Sequence, residues 1–381
     1  MKKLLLLTIM LSLTLTLLEA KKNDDIDNVA LATLLLRDGL IQKADDALKN
    51  VDLEDKTLDL VRFYTLKALV ALKQGLYKES NNFFLESMKA GQEDKAIFLY
   101  MAQNSFKLKE YKESLGYLNG AGELAFEKPS LFSLRAELHW LLEQKEQSFE
   151  VLEKGMLKFP QEYTLLKQRF FYYMSLELYQ GALNDARLYL THAEVDEKSA
   201  LVFVSAFKNA HQLDDAIALG EELLLQFNKS AKLTAMLAYL YIDKGMFQTA
   251  ADLFDKASIR DEQFTKESAE LYRRAKNFVL SLYKNSQLLD AKEKLKQRIA
   301  IYLEYEAYEK VVVSHNALKR SGLIEDENIR YALAYSYYMV GDFDACEKEL
   351  KQLKQADLFK KATELRKNIQ QCKTDGWECK L

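Results

Sequence analysis

The sequence predicts an all-α fold, a right-handed α-solenoid of stacked helix-turn-helix repeats, on three observations. Chain breakers are scarce: 381 residues hold two prolines, Pro129 and Pro160, and 13 glycines, while Leu, Ala, Lys, Glu, Phe and Tyr sustain almost continuous helix. A period is present. GLYKES, KEYKES, QKEQSF, ELYQGA, HQLDDA and KGMFQTA set Tyr77, Tyr111, Lys145, Tyr179, Leu213 and Phe247 at one constant step along the chain. Finally, LAYLYIDKGMFQTAADLFDKA (237–257) puts Ala238, Gly245, Ala250 and Ala257 where two helices touch, and Leu237, Tyr241, Phe247 and Phe254 where they fill space.

In chain order, residues 1–20 read as an export signal: Lys2 and Lys3 precede an apolar run from Leu4 to Leu18, and Ala20 offers a small residue for cleavage. The run falls short of the roughly 20 residues that span a bilayer. Cleavage and a periplasmic location are therefore expected, with a retained anchor as the alternative. RDGLIQKADDALKNV opens the repeats with Ile41, and residues 24–258 hold about seven units. The small residue of the first helix is Ala32, Ala68, Ala102, Ala136 and Ala238, but Phe170 and Val204 replace it in two units. Those two interfaces are expected to be splayed or rotated. The small residue of the second helix is Ala44, Ser80, Ser114, Ser148, Ala182, Ala216 and Ala250.

Between Ser258 and Tyr305 the register slips, since the separation of Phe247 and Tyr308 is not a whole number of steps. Residues 259–305 therefore read as an irregular helical segment with a break in curvature. Repeats resume over 306–356, with Leu333, Ala334, Tyr337 and Phe343 in register. Residues 357–381 read as a one-sided capping helix, carrying Leu358, Ala362, Leu365 and Ile369, followed by a tail with cysteines.

A 34-residue period with two helices per unit resembles the tetratricopeptide repeat family, whose pattern runs W-x2-L-G-x2-Y, then A-x3-F, then P. The match is close at Leu237, Ala238, Tyr241, Ala250 and Phe254, and the closing proline survives only at Pro160. The resemblance implies a superhelix whose first helices line a concave face, because one helix pair cannot bury its own apolar stripe and must stack on its neighbours. Carried onto this register, that lining is Phe106, Lys107, Trp140, Phe171, Met174, Lys208, Asn209, Tyr239, Ile242, Tyr335 and Tyr338. Aromatic anchors with a few polar groups suit a peptide or helix of a protein partner. The same residues also suit packing between neighbouring first helices. Lys167, Lys198, Lys208 and Asn209 depart from the family's carboxylate-clamp spacing, so no clamp is read here.

The charge balance, 54 Lys plus Arg against 57 Asp plus Glu with signs interspersed, argues against nucleic acid, which requires a clustered basic excess. Neither a phosphate loop, a nucleophile elbow nor a metalloprotease helix is present. His139, His192, His211 and His315 stand far apart, without further ligands at metal spacing. The carboxylate pairs Asp45-Asp46, Asp214-Asp215 and Glu221-Glu222 fall on solvated helix faces. No catalytic residue, cofactor or metal is expected. Of three cysteines, Cys346 sits on an apolar stripe as a buried free thiol, while Cys372 and Cys379 flank the turn signal Asp375-Gly376 and are candidates for a bridge in an oxidising compartment.

Together these features point to an exported, non-enzymatic scaffold or adaptor that serves a cell-envelope complex, associating with membranes at most through partners. A chaperone-like carrier of exported polypeptides is an alternative. So is an envelope-polymer enzyme using the solenoid as its binding arm, whose chemistry would fall in residues 259–330.

Overall fold

The computed structural model describes residues 27–374, so the export segment and Cys379 lie outside the described residues. Among the described residues there are 22 α-helices and no strand. The chain divides into two compact units between Arg169 and Phe170. In the first, α1 (Asn28–Arg37) pairs with α2 (Ile41–Lys49), α3 (Leu60–Lys73) with α4 (Tyr77–Lys89), α5 (Ala96–Lys107) with α6 (Tyr111–Gly120), and α7 (Pro129–Leu141) with α8 (Lys145–Lys158). The division falls inside α9 (Thr164–Ser175).

The second unit continues with α10 (Tyr179–His192), the pair α11 (Glu197–Asn209) and α12 (Leu213–Gln226), and the pair α13 (Ala231–Asp243) and α14 (Phe247–Ser258). Two further pairs follow: α15 (Thr265–Arg274) with α16 (Phe278–Ser286), and α17 (Ala291–Glu304) with α18 (Tyr308–Val313). After the short α19 (His315–Arg320) come α20 (Glu327–Met339), α21 (Phe343–Leu350) and the long α22 (Ala356–Thr374). The segment read as irregular thus consists of helix pairs joined by the same turn as the rest, with the slip in register the sequence shows. Their step is shortened: the second helices begin at Phe278 and Tyr308, each a few positions sooner after its predecessor than the constant step of the earlier units would place it.

One turn joins every pair. The residue two before each second helix has positive φ, at Gly39, Gly75, Lys109, Glu143, Glu177, His211, Gly245, Lys276, Glu306 and Gly341. The next N–H reaches back to a carbonyl five residues earlier, as in Leu40 N to Leu35 O at 2.8 Å and Asn277 N to Tyr272 O at 2.8 Å. This is the left-handed helix termination that favours glycine. Because the second helix starts directly from that turn, α2, α4, α6, α8, α10, α12 and α14 carry no side-chain cap. Several first helices do: Asp27, Asp59, Asp196, Ser230, Asp290 and Asp326 accept from backbone N–H groups of α1, α3, α11, α13, α17 and α20. Pro129 opens α7, where its missing N–H costs nothing.

Within each pair the contact is made by the small residues the sequence marks. Ala32, Ala68, Ala102, Ala136 and Ala238 are fully buried, as are Ala44, Ser80, Ser114, Ser148, Ala182, Ala216 and Ala250. A buried hydroxyl needs a partner. Ser80, Ser114 and Ser148 each donate to the carbonyl of the alanine they face, Ala68, Ala102 and Ala136, at 2.7–2.8 Å. Ser281 does the same to Ala269 at 2.7 Å, which shows the short-step hairpin α15–α16 to be built on the same plan.

Phe170 and Val204 do not leave their interfaces open. Both are fully buried in one core with Ala182, Ala186 and Ala216. The reason lies four residues past the small position of the second helix. That site is Phe84, Leu118, Leu152 and Phe254 where the first helix carries alanine, but Ala186 opposite Phe170 and Gly220 opposite Val204. In the first of these pairs the bulk has moved from the second helix to the first and the volume of the pair is kept; in the second, Val204 with Gly220, the pair itself is smaller and Leu237 of the next hairpin takes up the space. A Cβ on Gly220 would stand 2.7 Å from Leu237 Cδ2, so that space is already filled.

Candidate partner-binding face

The nominated residues fall on the first helices, at three positions of the repeat, one of which holds Lys107 and Asn209. Phe106, Trp140, Met174, Lys208 and Ile242 share one position in successive units, and Phe171 and Tyr239 occupy a second, three residues earlier. In the first unit these side chains are braced by their own hairpins. Phe106 is half-buried, its ring 6.0 Å from Tyr111, and Lys107 beside it is exposed. Trp140 meets Phe149 edge-on at 6.4 Å, while Lys145 Nζ lies 3.8 Å from the indole and donates to the Trp140 carbonyl at 3.0 Å.

The second unit is more open. Phe171, 40% exposed, stands edge-on to buried Phe170 at 4.9 Å and stacks on buried Phe203 at 6.5 Å. Tyr239, 43% exposed, stands edge-on to buried Phe254 at 5.0 Å. The equivalent position between them is Ser205. Lys208 links neighbouring helices: its Nζ lies 5.6 Å from the Tyr239 ring and 3.9 Å from the Asp243 carboxylate. Met174 and Ile242 pack partly buried against the cores beneath, and Asn209 is exposed. Tyr335 is partly buried, 5.8 Å from Tyr308. Tyr338 is different. It is 7% exposed, lies 5.9 Å from Phe343 and belongs to the C-terminal core, so it is a packing residue and not part of an open face.

The first short-step hairpin puts charge at the same two positions, Glu270 and Arg273, whereas the second has Ala300 and Leu303 there. Arg273 pairs with Glu270 at 2.5 Å and with Glu304 of the next first helix. The sequence reading missed this ladder because it carried no register through residues 259–305. It also missed a buried polar cluster in the last repeat. There His315 Nδ1 lies 2.8 Å from the Tyr337 hydroxyl, His315 Nε2 lies 3.5 Å from Glu349, and Glu349 accepts from Arg330 at 2.9 Å. Burial pushes the His315 pKa below its ordinary value despite the Glu349 carboxylate beside it. His139 lies 2.7 Å from Gln144 Oε1 in its own turn.

The carboxylate pairs are spent on the fold. Asp214 pairs with Lys244, Glu222 with Arg187 at 2.6 Å, and Glu221 accepts from the Tyr241 hydroxyl at 2.6 Å. That last bond holds the Tyr241 pKa up at about 12. Cys346 is buried and free, with burial raising its thiol pKa to about 12, whereas Cys372 is disulfide-bonded. Among the described residues no group of His, Cys, Asp or Glu is placed to hold a metal ion, and no helix is long and apolar enough to cross a membrane.

Helix hairpins closed by one recurring turn, with the contact positions between paired helices buried in register, decide the fold. It is a tetratricopeptide-type repeat fold. No family model matches the sequence, and no curated protein does. Among solved structures, a tetratricopeptide repeat protein from Parabacteroides merdae is similar at 15% identity and a TM-score of 0.39, over 73% of this chain and 98% of that one. Pseudomonas aeruginosa PilF is similar at 16% identity and 0.39, over 53% and 91%. MamA from Desulfovibrio magneticus RS-1 is similar at 14% identity and 0.28, over 54% and 97%. Likenesses at this level say nothing about a shared partner or site.

Proposed function

We propose that this chain is a non-enzymatic protein-interaction scaffold, exported to the periplasm, that holds one protein partner on the first-helix face of its second unit in support of a cell-envelope complex. One observation carries the reading: Phe171 and Tyr239 are large exposed rings at equivalent repeat positions, each braced edge-on by a fully buried phenylalanine. A ring held in place before binding loses little entropy when a partner covers it, which is why such aromatics act as anchors. Lys208 and Asn209 supply polar contacts between them. The fitting occupant is an apolar helix or extended peptide. The basic, apolar and small-residue order of residues 1–20 supports export.

The test is capture from an envelope extract with the mature chain, compared with a Phe171→Ala, Tyr239→Ala double variant and with Leu225→Ala, which trims an exposed leucine elsewhere. A single protein retained through a salt wash by wild type and Leu225→Ala, and lost by the double variant, is the expected result. Equal retention by all three would overturn the proposed face, and a broad weak set of unfolded chains would favour the carrier reading. For location, the mature N-terminus is expected near Lys21 in the soluble periplasmic fraction. Intact Met1 in the membrane pellet would overturn export by cleavage.

A further inference from the structure

Away from the aromatic face, α17 and α19 flank an open cavity of about 560 Å³ whose wall is cationic. Lys292, Lys294 and Arg298 of α17 and Arg320 of α19 line it, together with Leu295 and Ala317, and no acidic side chain does. Among the described residues none of these four cations has a carboxylate within ion-pairing distance. The nearby acids are engaged elsewhere: Glu293 pairs with Lys266 at 2.5 Å, and Asp290 accepts from the N–H groups of Lys292 and Glu293 at 2.8 and 3.0 Å.

Unlike a chance group of surface lysines, the wall is built from behind. Arg298 Nε donates to Asn285 Oδ1 at 3.0 Å. Asn285 is fully buried and donates in turn to the Lys294 carbonyl at 2.9 Å and to Gln297 Oε1 at 3.1 Å. Gln297, also buried, donates to the Lys266 carbonyl at 2.9 Å. This relay fixes the guanidinium by its inner nitrogen and leaves the two outer ones for a planar or tetrahedral oxyanion. We propose that this cavity is a binding site for a phosphate group.

Charge selects the ligand class. A single carboxylate would leave three of the four cations uncompensated, whereas a phosphate monoester brings a charge of about −1.5 to −2 and three acceptor oxygens to one point. A polynucleotide would need a basic stripe, and here the charge is confined to one cavity in a chain of net charge −3. Two sources share this chemistry, a soluble phosphate and a phospholipid headgroup. Leu289 and Val313, 80% and 82% exposed, lie two and four residues before the lining residues Ala291 and Ala317, which makes the headgroup a source to be tested directly.

The experiment uses the mature chain with two probes. Inorganic phosphate is titrated against chloride at matched ionic strength, following thermal unfolding and heat of binding. Phosphatidylcholine vesicles with and without phosphatidylglycerol are used in cosedimentation. Wild type is expected to gain stability from phosphate beyond the chloride control. Lys294→Gln should weaken phosphate binding about tenfold, and Arg298→Gln with Arg320→Gln should abolish it. Lys232→Gln with Lys256→Gln removes the same charge from exposed sites elsewhere and should change nothing. Vesicle binding that needs phosphatidylglycerol and is lost with the arginine pair assigns the site to a lipid headgroup; phosphate binding without vesicle binding assigns it to a soluble phosphate. No phosphate effect on wild type, or an equal loss in the control pair, would overturn the proposal. Lys294→Gln, on a half-buried rim position, decides the matter even if the arginine pair fails to fold.

Discussion

Two kinds of hairpin stand side by side in this chain. In α3–α4, α5–α6, α7–α8 and α13–α14 an alanine on the first helix faces a large residue on the second, Ala68 with Phe84 or Ala238 with Phe254. In α9–α10 and α11–α12 the order is inverted, Phe170 with Ala186 and Val204 with Gly220, and both are as fully buried as the rest. Phe170 with Ala186 keeps the total volume of an ordinary pair with the residues exchanged, whereas the smaller pair Val204 with Gly220 is completed by Leu237 of the next hairpin. A pattern that treats each position separately mistakes the inverted pairs for defects.

The largest expected effect breaks this comparison directly. Phe170→Ala should empty the interface from both sides and cost about 3–5 kcal/mol, because Ala186 cannot fill the space. Adding Ala186→Leu should recover part of that loss, with a coupling of about 1–3 kcal/mol in a double-mutant cycle by chemical denaturation. Additive losses would show that the two residues do not share a volume. A smaller effect is expected from overpacking the ordinary hairpin. Ala238→Leu, opposite Phe254, should cost about 1–3 kcal/mol by the same measurement. Tolerance there equal to that at Val204→Leu would mean the repeat register is wrong.

The comparison also shows what was legible in the sequence. Over residues 41–258 the near-constant step fixes the register, so each alanine and serine of the contact could be named before its burial was seen. Beyond Ser258 the step shortens and the turn residues become Lys276 and Glu306, so neither spacing nor a glycine marks the hairpins. What survives is the local chemistry: Ala269 and Ser281, twelve residues apart, bond as Ala102 and Ser114 do. Tyr338 was misplaced for a related reason. It follows Ile242 in the repeat, but the last hairpin packs it on Phe343 within the core that α22 completes. The cationic cavity was out of reach, since it depends on α19, a helix outside the repeat.

The turns sharpen the comparison at lower energy. Gly75, Gly245 and Gly341 adopt the same left-handed conformation as Glu143, His211 and Lys276, and only the side-chain-bearing residues are strained there. Lys276→Gly should stabilise the short-step hairpin by about 0.5–1 kcal/mol, and Gly245→Ala should destabilise the ordinary one by about 1–2 kcal/mol. Denaturant midpoints of the two variants check the pair. A loss on Lys276→Gly would show that its side chain contributes more than its backbone costs.

The smallest effect concerns the last repeat, which has the ordinary volume order, Ala334 with Leu350, but adds buried charge. His315, Tyr337, Glu349 and Arg330 form one cluster, with Lys319 and Lys348 also acting on the imidazole. Desolvation, the largest cause, lowers the His315 pKa below 6.5 in the folded chain. The unfolded chain then binds the proton first as pH falls, so the contribution of His315 to stability is present above about 6.5 and is lost progressively down to the folded value. His315→Gln cannot titrate and should remove that part of the pH dependence while leaving the slope at higher pH unchanged. Stability of wild type and variant, measured across this window at fixed ionic strength, should converge as pH falls. If the two curves stay parallel, the pKa is unshifted and the attraction of Glu349 offsets the cost of burial; if they diverge as pH falls, Glu349 outweighs burial.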